Sequence, residues 1–126
     1  MPIRYDLIDG VVYTIIVGRV TDDEILSYYK QPVFEDFVLP WREVVDGRLI
    51  TDMQITPDGQ RRLAEVVATK ASKLRGGRVA MVASTDLTYG MFRMWEVQRG
   101  DIDYEVRVFR DIEEARDWIA QPHGKP

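Results

Sequence analysis

WREVVDGRLITDMQITPDGQRRLAEVVATKASKL, residues 41–74, decides the fold. Residues 42–46 read as a short buried strand around Val44 and Val45. Residues 47–55 read as a polar loop carrying Asp52. Thr56-Pro57-Asp58 then opens a helix. A Thr oxygen accepts an otherwise unpaired backbone N–H of the first turn, and Pro fits the first helical position because no amide donor is needed there. Leu63, Val67, Ala71 and Leu74 recur at helical spacing, and Ala64, Val66 and Ala68 widen the stripe. Arg61, Arg62, Glu65, Lys70 and Lys73 are left for water, so one long helix is expected to run to Gly76-Gly77. Strand, loop and helix in this order form the unit of an α/β protein. The loop after the strand then lies at the sheet's carboxyl edge, where ligands and partners dock.

Outward toward the N-terminus, residues 3–8 and 11–17 are two β-rich runs joined by Asp9-Gly10, a pair suited to a type I′ hairpin turn. In the second run Val11, Tyr13, Ile15 and Val17 share one face, while Val12 and Ile16 flank Thr14 on the other. A strand apolar on both faces lies inside a sheet covered on both sides. Thr21 and Glu24 form a capping box, and Asp22, Asp23 and Glu24 suit the positive end of the helix dipole. This explains the acidic run better than a metal site does, because adjacent helical residues point in different directions. Ile25, Leu26, Tyr28 and Tyr29 give this helix its apolar stripe until Pro32 interrupts it. Phe34, Phe37 and Val38 suggest an irregular turn.

Toward the C-terminus, residues 79–83 are uniformly apolar, as a central parallel strand should be. Ser84-Thr85-Asp86 caps a helix over 87–98. Tyr104 to Phe109 alternates as a last strand, and Asp111 with Glu114 caps a short helix holding Ala115, Trp118 and Ile119. The order predicts a single α/β domain over 1–120 with a polar tail over 121–126. Its sheet is mixed and about five-stranded, with a leading β-hairpin followed by βα repeats joined by right-handed crossovers.

The 126 residues suffice for one core. A net charge of −4 gives no basic footprint for nucleic acid. The absence of Cys removes disulfides, thiolate metal sites and a cysteine nucleophile. No run approaches the ~20 apolar residues of a membrane helix, and no signal-peptide stretch is present, so no membrane insertion and a cytoplasmic location are expected. His123 is the sole His and sits in the tail, which leaves no conventional triad and no His-based metal site. No metal, cofactor or catalytic group is expected.

VVDGRLITDMQITPDG (44–59) and STDLTYGMFRMWE (84–96), with the element order over residues 3–119, resemble the SpoIIAA-like family, the STAS or CRAL-TRIO-like group, and within it a bacterial branch without an established reaction. The resemblance implies a regulatory or protein-interaction module rather than an enzyme. Anti-anti-sigma members bind a kinase partner and are phosphorylated on a Ser at the start of the helix after this strand. Here that Ser is absent, the loop is longer, and Thr56 is the nearby hydroxyl, so Thr56 is the phosphoacceptor candidate. Related lipid-transfer members, which are larger, hold apolar ligands in a cavity. The alternative is therefore a binder of a small apolar or anionic ligand at the carboxyl edge.

Asp52, Asp86, Tyr89 and Arg93 are the ligand- or partner-binding candidates. Tyr89 and Arg93 stand four apart on one helix face, Asp86 three before them, with Arg93 as an anion fork and Tyr89 as a donor. Gly90 within that helix costs ~1 kcal/mol against Ala and suggests a close packing contact. Met81, Met91, Phe92, Met94 and Trp95 are expected in the core. A protein partner, with a homodimer among the assemblies this allows, fits the carboxyl-edge loops. The remaining reading is a weak enzyme using Asp52 or Asp86, which a buried carboxylate with a raised pKa in a cleft would favour.

Overall fold

The computed structural model describes residues 2–31 and 40–121. The irregular turn expected around Phe34, Phe37 and Val38, the Pro32 break, and His123 fall outside the described residues. In chain order the elements are β1 (Ile3–Ile8), β2 (Val11–Thr21), α1 (Asp22–Tyr29), β3 (Arg42–Gln54), α2 (Pro57–Ala68), α3 (Ala71–Leu74), β4 (Gly77–Val82), α4 (Asp86–Gln98), β5 (Tyr104–Phe109) and α5 (Ile112–Ala120).

One five-stranded sheet runs β1-β2-β3-β4-β5. β1 pairs antiparallel with β2 through the expected hairpin, whose Asp9 and Gly10 take φ of 52° and 79°. The remaining pairs are parallel. Strands added in sequence order by crossovers of one hand place the connecting helices on one face. Accordingly Ile25, Leu26 and Tyr28 of α1, Leu63 of α2, and Phe92 and Trp95 of α4 share the larger core with Val12, Ile16, Val45, Val79, Met81 and Val106. The opposite face carries a smaller core. There Ala115, Trp118 and Ile119 of α5 cover Val11, Val44, Ala80 and Val82. The mixed α/β sheet with a leading hairpin is thus as the sequence predicts.

Two elements differ from the sequence reading. The stretch 47–55 is not a loop, because β3 continues to Gln54 and carries Asp52 within the strand. Beyond Asp46, the last β3 residue paired with β4, strands β2 and β3 run on together to Thr21 and Gln54 as an overhanging ribbon. A bulge opens this ribbon: Ile15 pairs with Asp46 but Val17 with Leu49, so Gly47 and Arg48 stand opposite Ile16 alone. Gly47 is required there by close approach, since a Cβ would lie 2.8 Å from the Phe92 ring. The long helix is also two helices. Thr69 turns its hydroxyl onto the carbonyl of Val66 at 2.6 Å, competing with the helical ladder, and a separate turn restarts at Ala71.

Candidate functional site: a cavity beneath the second helix

The ribbon sets where α1 and α2 begin. Thr21 caps α1 in a complete capping box with Glu24, and Thr56 caps α2 by accepting from the Gly59 amide at 3.0 Å. Asp22 clasps the two ends together. Its Oδ1 accepts from the Thr56 amide at 2.9 Å and its Oδ2 from the Thr56 hydroxyl at 2.6 Å. A Cβ on Gly59 would overlap the Asp22 carboxylate, so the clasp needs glycine there. Held this way, α2 packs along α1 and beside α4, and its Leu63 reaches into the larger core against the sheet.

The gap between α2 and the sheet is a partly open cavity of about 100 Å³. Ile16, Val45, Ile50, Val79 and Met81 line it from the sheet, Leu63 and Val67 from α2, and Met91, Phe92 and Trp95 from α4. The overhanging ribbon contributes Met53, with Ile55 just beyond it. Met53, Met81 and Met91 give the wall adaptable shape.

Few polar groups enter this lining. Glu43, 3% exposed, stands on β3 between Trp41 and Val45. Its Oε2 accepts from the Thr14 hydroxyl at 2.6 Å and from the Tyr29 hydroxyl at 2.8 Å, and its Oε1 from the Trp41 indole N–H at 3.3 Å. Thr14 spends its single proton on Glu43, so the Tyr28 hydroxyl, 2.9 Å away, donates to Thr14. Burial raises the Glu43 carboxyl pKa, and the bonds from Thr14, Tyr29 and Trp41 pull it back only in part. Tyr28 and Tyr29 are raised as well, by burial first and the neighbouring Glu43 second. Gln60 on α2, 4% exposed, donates its amide Nε2 to the Met91 carbonyl at 3.1 Å, and its Oε1 has no partner among the described residues. Half-buried Lys70 and Lys73 complete the lining.

The residues singled out in the sequence lie elsewhere, on the surface. Asp52 sits in β3 opposite Arg19, with 3.6 Å between their charged groups, and accepts from Gln54 at 2.6 Å. The Thr56 hydroxyl is committed to Gly59 and Asp22. Asp86, Tyr89 and Arg93 are brought together, but by a residue that the sequence reading passed over. Arg110, just past β5, pairs with Asp86 at 2.9 Å and lies 4.3 Å over the Tyr89 ring. Arg93 bonds the Tyr89 side chain, which raises the guanidinium pKa ahead of Glu96, its ion-pair partner at 2.7 Å. Gly90 meets nothing within 4 Å, so no packing contact within the described residues explains it. Of the five residues expected in the core, Met81, Phe92 and Trp95 are buried, Met91 is half-buried and Met94 is exposed.

Glu43, Thr14 and Gln60 were passed over in the sequence although a signal was present. Trp41, Glu43 and Val45 alternate with strand period, so Glu43 faces the core with its neighbours. Gln60 precedes Leu63 and Val67 on the apolar stripe of α2. Among the described residues, no group of three or more His, Asp or Glu side chains stands where it could hold a metal ion. No helix there is long and apolar enough to cross a membrane.

No family model matches the chain, and no curated protein does. A solved structure does: the crystal structure of an uncharacterized protein of the DUF3478 family from Shewanella loihica PV-4. It aligns with a TM-score of 0.61 over 94% of this chain and 92% of its own, at 14% identity. That neighbour is described as having a SpoIIAA-like fold, and the shared hairpin-led sheet and its helices give this chain the same fold.

Proposed function

We propose that this domain is a binding module for a small, mainly apolar molecule held between the sheet and α2. The observation that carries the reading is the partly open apolar cavity of about 100 Å³ lined by the sheet, α2 and α4. A ligand that covers these apolar walls removes them from water, worth roughly 25 cal/mol per Å² of apolar surface. Domains of this size retain only ~5–15 kcal/mol of stability, so a ligand that fills the space contributes appreciably. Filling the cavity would also change how α2 sits on α1, which gives the module a means of signalling. Trp41 and Trp95 line the cavity, so their emission reports occupancy. Titration with small hydrocarbons should give a saturable change, and Leu63→Trp, which fills the space, should abolish it while the protein stays folded. No saturable change with any compound would contradict the reading.

The outer face of α4 supports a second reading, an interaction module. Leu87 and Val97 are 63% and 83% exposed, and with Gly90 and Met94 they recur at three- and four-residue steps along one stripe. Gly90 there costs helix stability without a return among the described residues, and it would let a second copy's α4 approach closely. Asp86 and Arg93 border the same stripe. Sedimentation of wild type against Val97→Asp tests this. A dimer lost on substitution supports the reading, and a monomer at every concentration rejects it.

A further inference from the structure

The open edge of β5 carries a charge pattern complementary to itself. We propose that β5 pairs antiparallel with the β5 of a second copy of this chain, about a two-fold axis through Val106, so that two five-stranded sheets become one. This edge is a different surface from the outer stripe of α4 and from the cavity beneath α2.

Hydrogen bonding fixes which backbone groups of β5 are open. The carbonyls of Asp103 and Phe109 accept from the Gly76 and Ala83 amides at 2.8 and 3.0 Å, and β5 pairs with β4 in unbroken register between them. Backbone groups alternate sides along a strand, so Glu105 and Arg107 also turn theirs to β4. Tyr104, Val106 and Val108 turn theirs outward, where no further strand follows. The Tyr104 amide closes a turn onto the Ile102 carbonyl at 2.8 Å. Its carbonyl, and both groups of Val106 and Val108, have no backbone partner among the described residues. The edge is also within reach. Tyr104 and Val106, from the side of the larger core, and Glu105, Arg107 and Trp118, from the other side, line one groove. A groove bounded by both faces runs along the edge between them.

Side chains set the occupant. Glu105 and Arg107 share a face and flank Val106. In an antiparallel pair centred on Val106, each copy's Glu105 stands opposite the other's Arg107. These are non-hydrogen-bonded positions, where side chains approach most closely. Val106 is also an outward residue, so the register that matches the charges makes hydrogen bonds as well. Val106 bonds its own counterpart, and each Val108 amide donates to the other copy's Tyr104 carbonyl. Both charged groups have capacity left. The Glu105 side chain is 65% exposed and meets Arg78 with Oε1 at 3.1 Å, so Oε2 can receive a second guanidinium. Arg107 lies over the Phe109 and Trp118 rings at 5.6 and 5.5 Å, with no carboxylate partner among the described residues. Edge strands are often guarded by lysines, which repel a second copy, whereas an acid and a base two residues apart attract one.

Sedimentation of the intact protein over a concentration series, joined to amide exchange, provides the test. Wild type should dimerise, and the Val106 and Val108 amides should exchange more slowly as the dimer forms. Arg107→Glu sets Glu opposite Glu, and Glu105→Arg sets Arg opposite Arg. Each should weaken the dimer roughly ten- to thirty-fold. An equimolar mixture of the two variants again sets Glu opposite Arg at both positions, and it should form a heterodimer. A monomer up to about 1 mM would overturn the proposal. So would a dimer that Arg107→Glu leaves intact, a dimer without added protection at Val106 and Val108, or a mixture of two folded variants that stays monomeric. If Glu105→Arg fails to fold, the effect of Arg107→Glu and the exchange of the two amides decide the matter.

Discussion

Glu43 is a carboxyl group folded into the wall of an apolar cavity, and its protonation is coupled to folding. Burial raises its native pKa, against the pull of Thr14, Tyr29 and Trp41. A raised native pKa means that the folded chain holds the proton more tightly than the unfolded one. The resulting stability is fully present below the unfolded value, near 4.5, and is lost as pH climbs through the native pKa. Urea unfolding at a series of pH values should therefore show wild type losing stability relative to Glu43→Gln as pH rises above the ordinary carboxyl range. The opposite slope would mean that the three donors outweigh burial. At this scale the sequence was informative but unevenly so. Thr14, Glu43 and Gln60 are polar residues at inward-facing positions of otherwise apolar stripes, and that signal needs only the strand and helix periods. Arg110 gave no such signal. It joins Asp86 to Tyr89 only because β5 ends beside the start of α4.

At the scale of elements, the Asp22–Thr56 clasp seats α2, and Gly59 is the residue it cannot do without. Gly59→Ala would drive a methyl group into the Asp22 carboxylate and should cost about 1–3 kcal/mol, as overpacking does. In an Asp22→Ala background the obstruction is gone, so the same substitution should cost far less. Urea unfolding of the four proteins measures the coupling, and additive costs would show that the clasp is not formed. A phosphate on Thr56 would stand against the same carboxylate and loosen α1 from α2. The two misread elements have local causes. The bulge at Gly47-Arg48 shifts the alternation of β3 midway, so its second half no longer continues the pattern of its first and reads as loop. Thr69 keeps the apolar spacing of α2 intact while breaking its hydrogen-bond ladder, which periodicity cannot detect. The clasp is likewise invisible in sequence, because Asp22 and Thr56 lie 34 residues apart.

At the scale of the molecule, the two faces of the sheet are covered unequally. Among the described residues, α1 to α4 stand on one face and α5 covers the other. Arg78 fastens α5. From β4 its guanidinium donates to the carbonyls of Trp118 and Gln121 at 3.1 and 3.0 Å, stacks on the Trp118 ring at 5.4 Å and pairs with Glu105 at 3.1 Å. A cation there also complements the negative end of the α5 dipole. Arg78→Met should lower global stability by about 2 kcal/mol and speed amide exchange in α5, because it leaves those carbonyls unanswered. Ligand binding on the opposite face should be unchanged, and a parallel loss of both would contradict this division of labour. The topology was legible because capped helices and apolar strands alternate in sequence order. The cavity was not, because it depends on how side chains of the sheet, α2 and α4 meet, which an apolar pattern does not reveal.

The central claim is that an apolar space which a ligand can fill lies between α2 and the sheet. A crystal of the protein under xenon pressure tests it most directly. A xenon atom bound between Val45, Leu63 and Phe92, and displaced in Leu63→Trp, is the predicted result. Full-strength density for the protein with no xenon bound between α2 and the strands would contradict the claim.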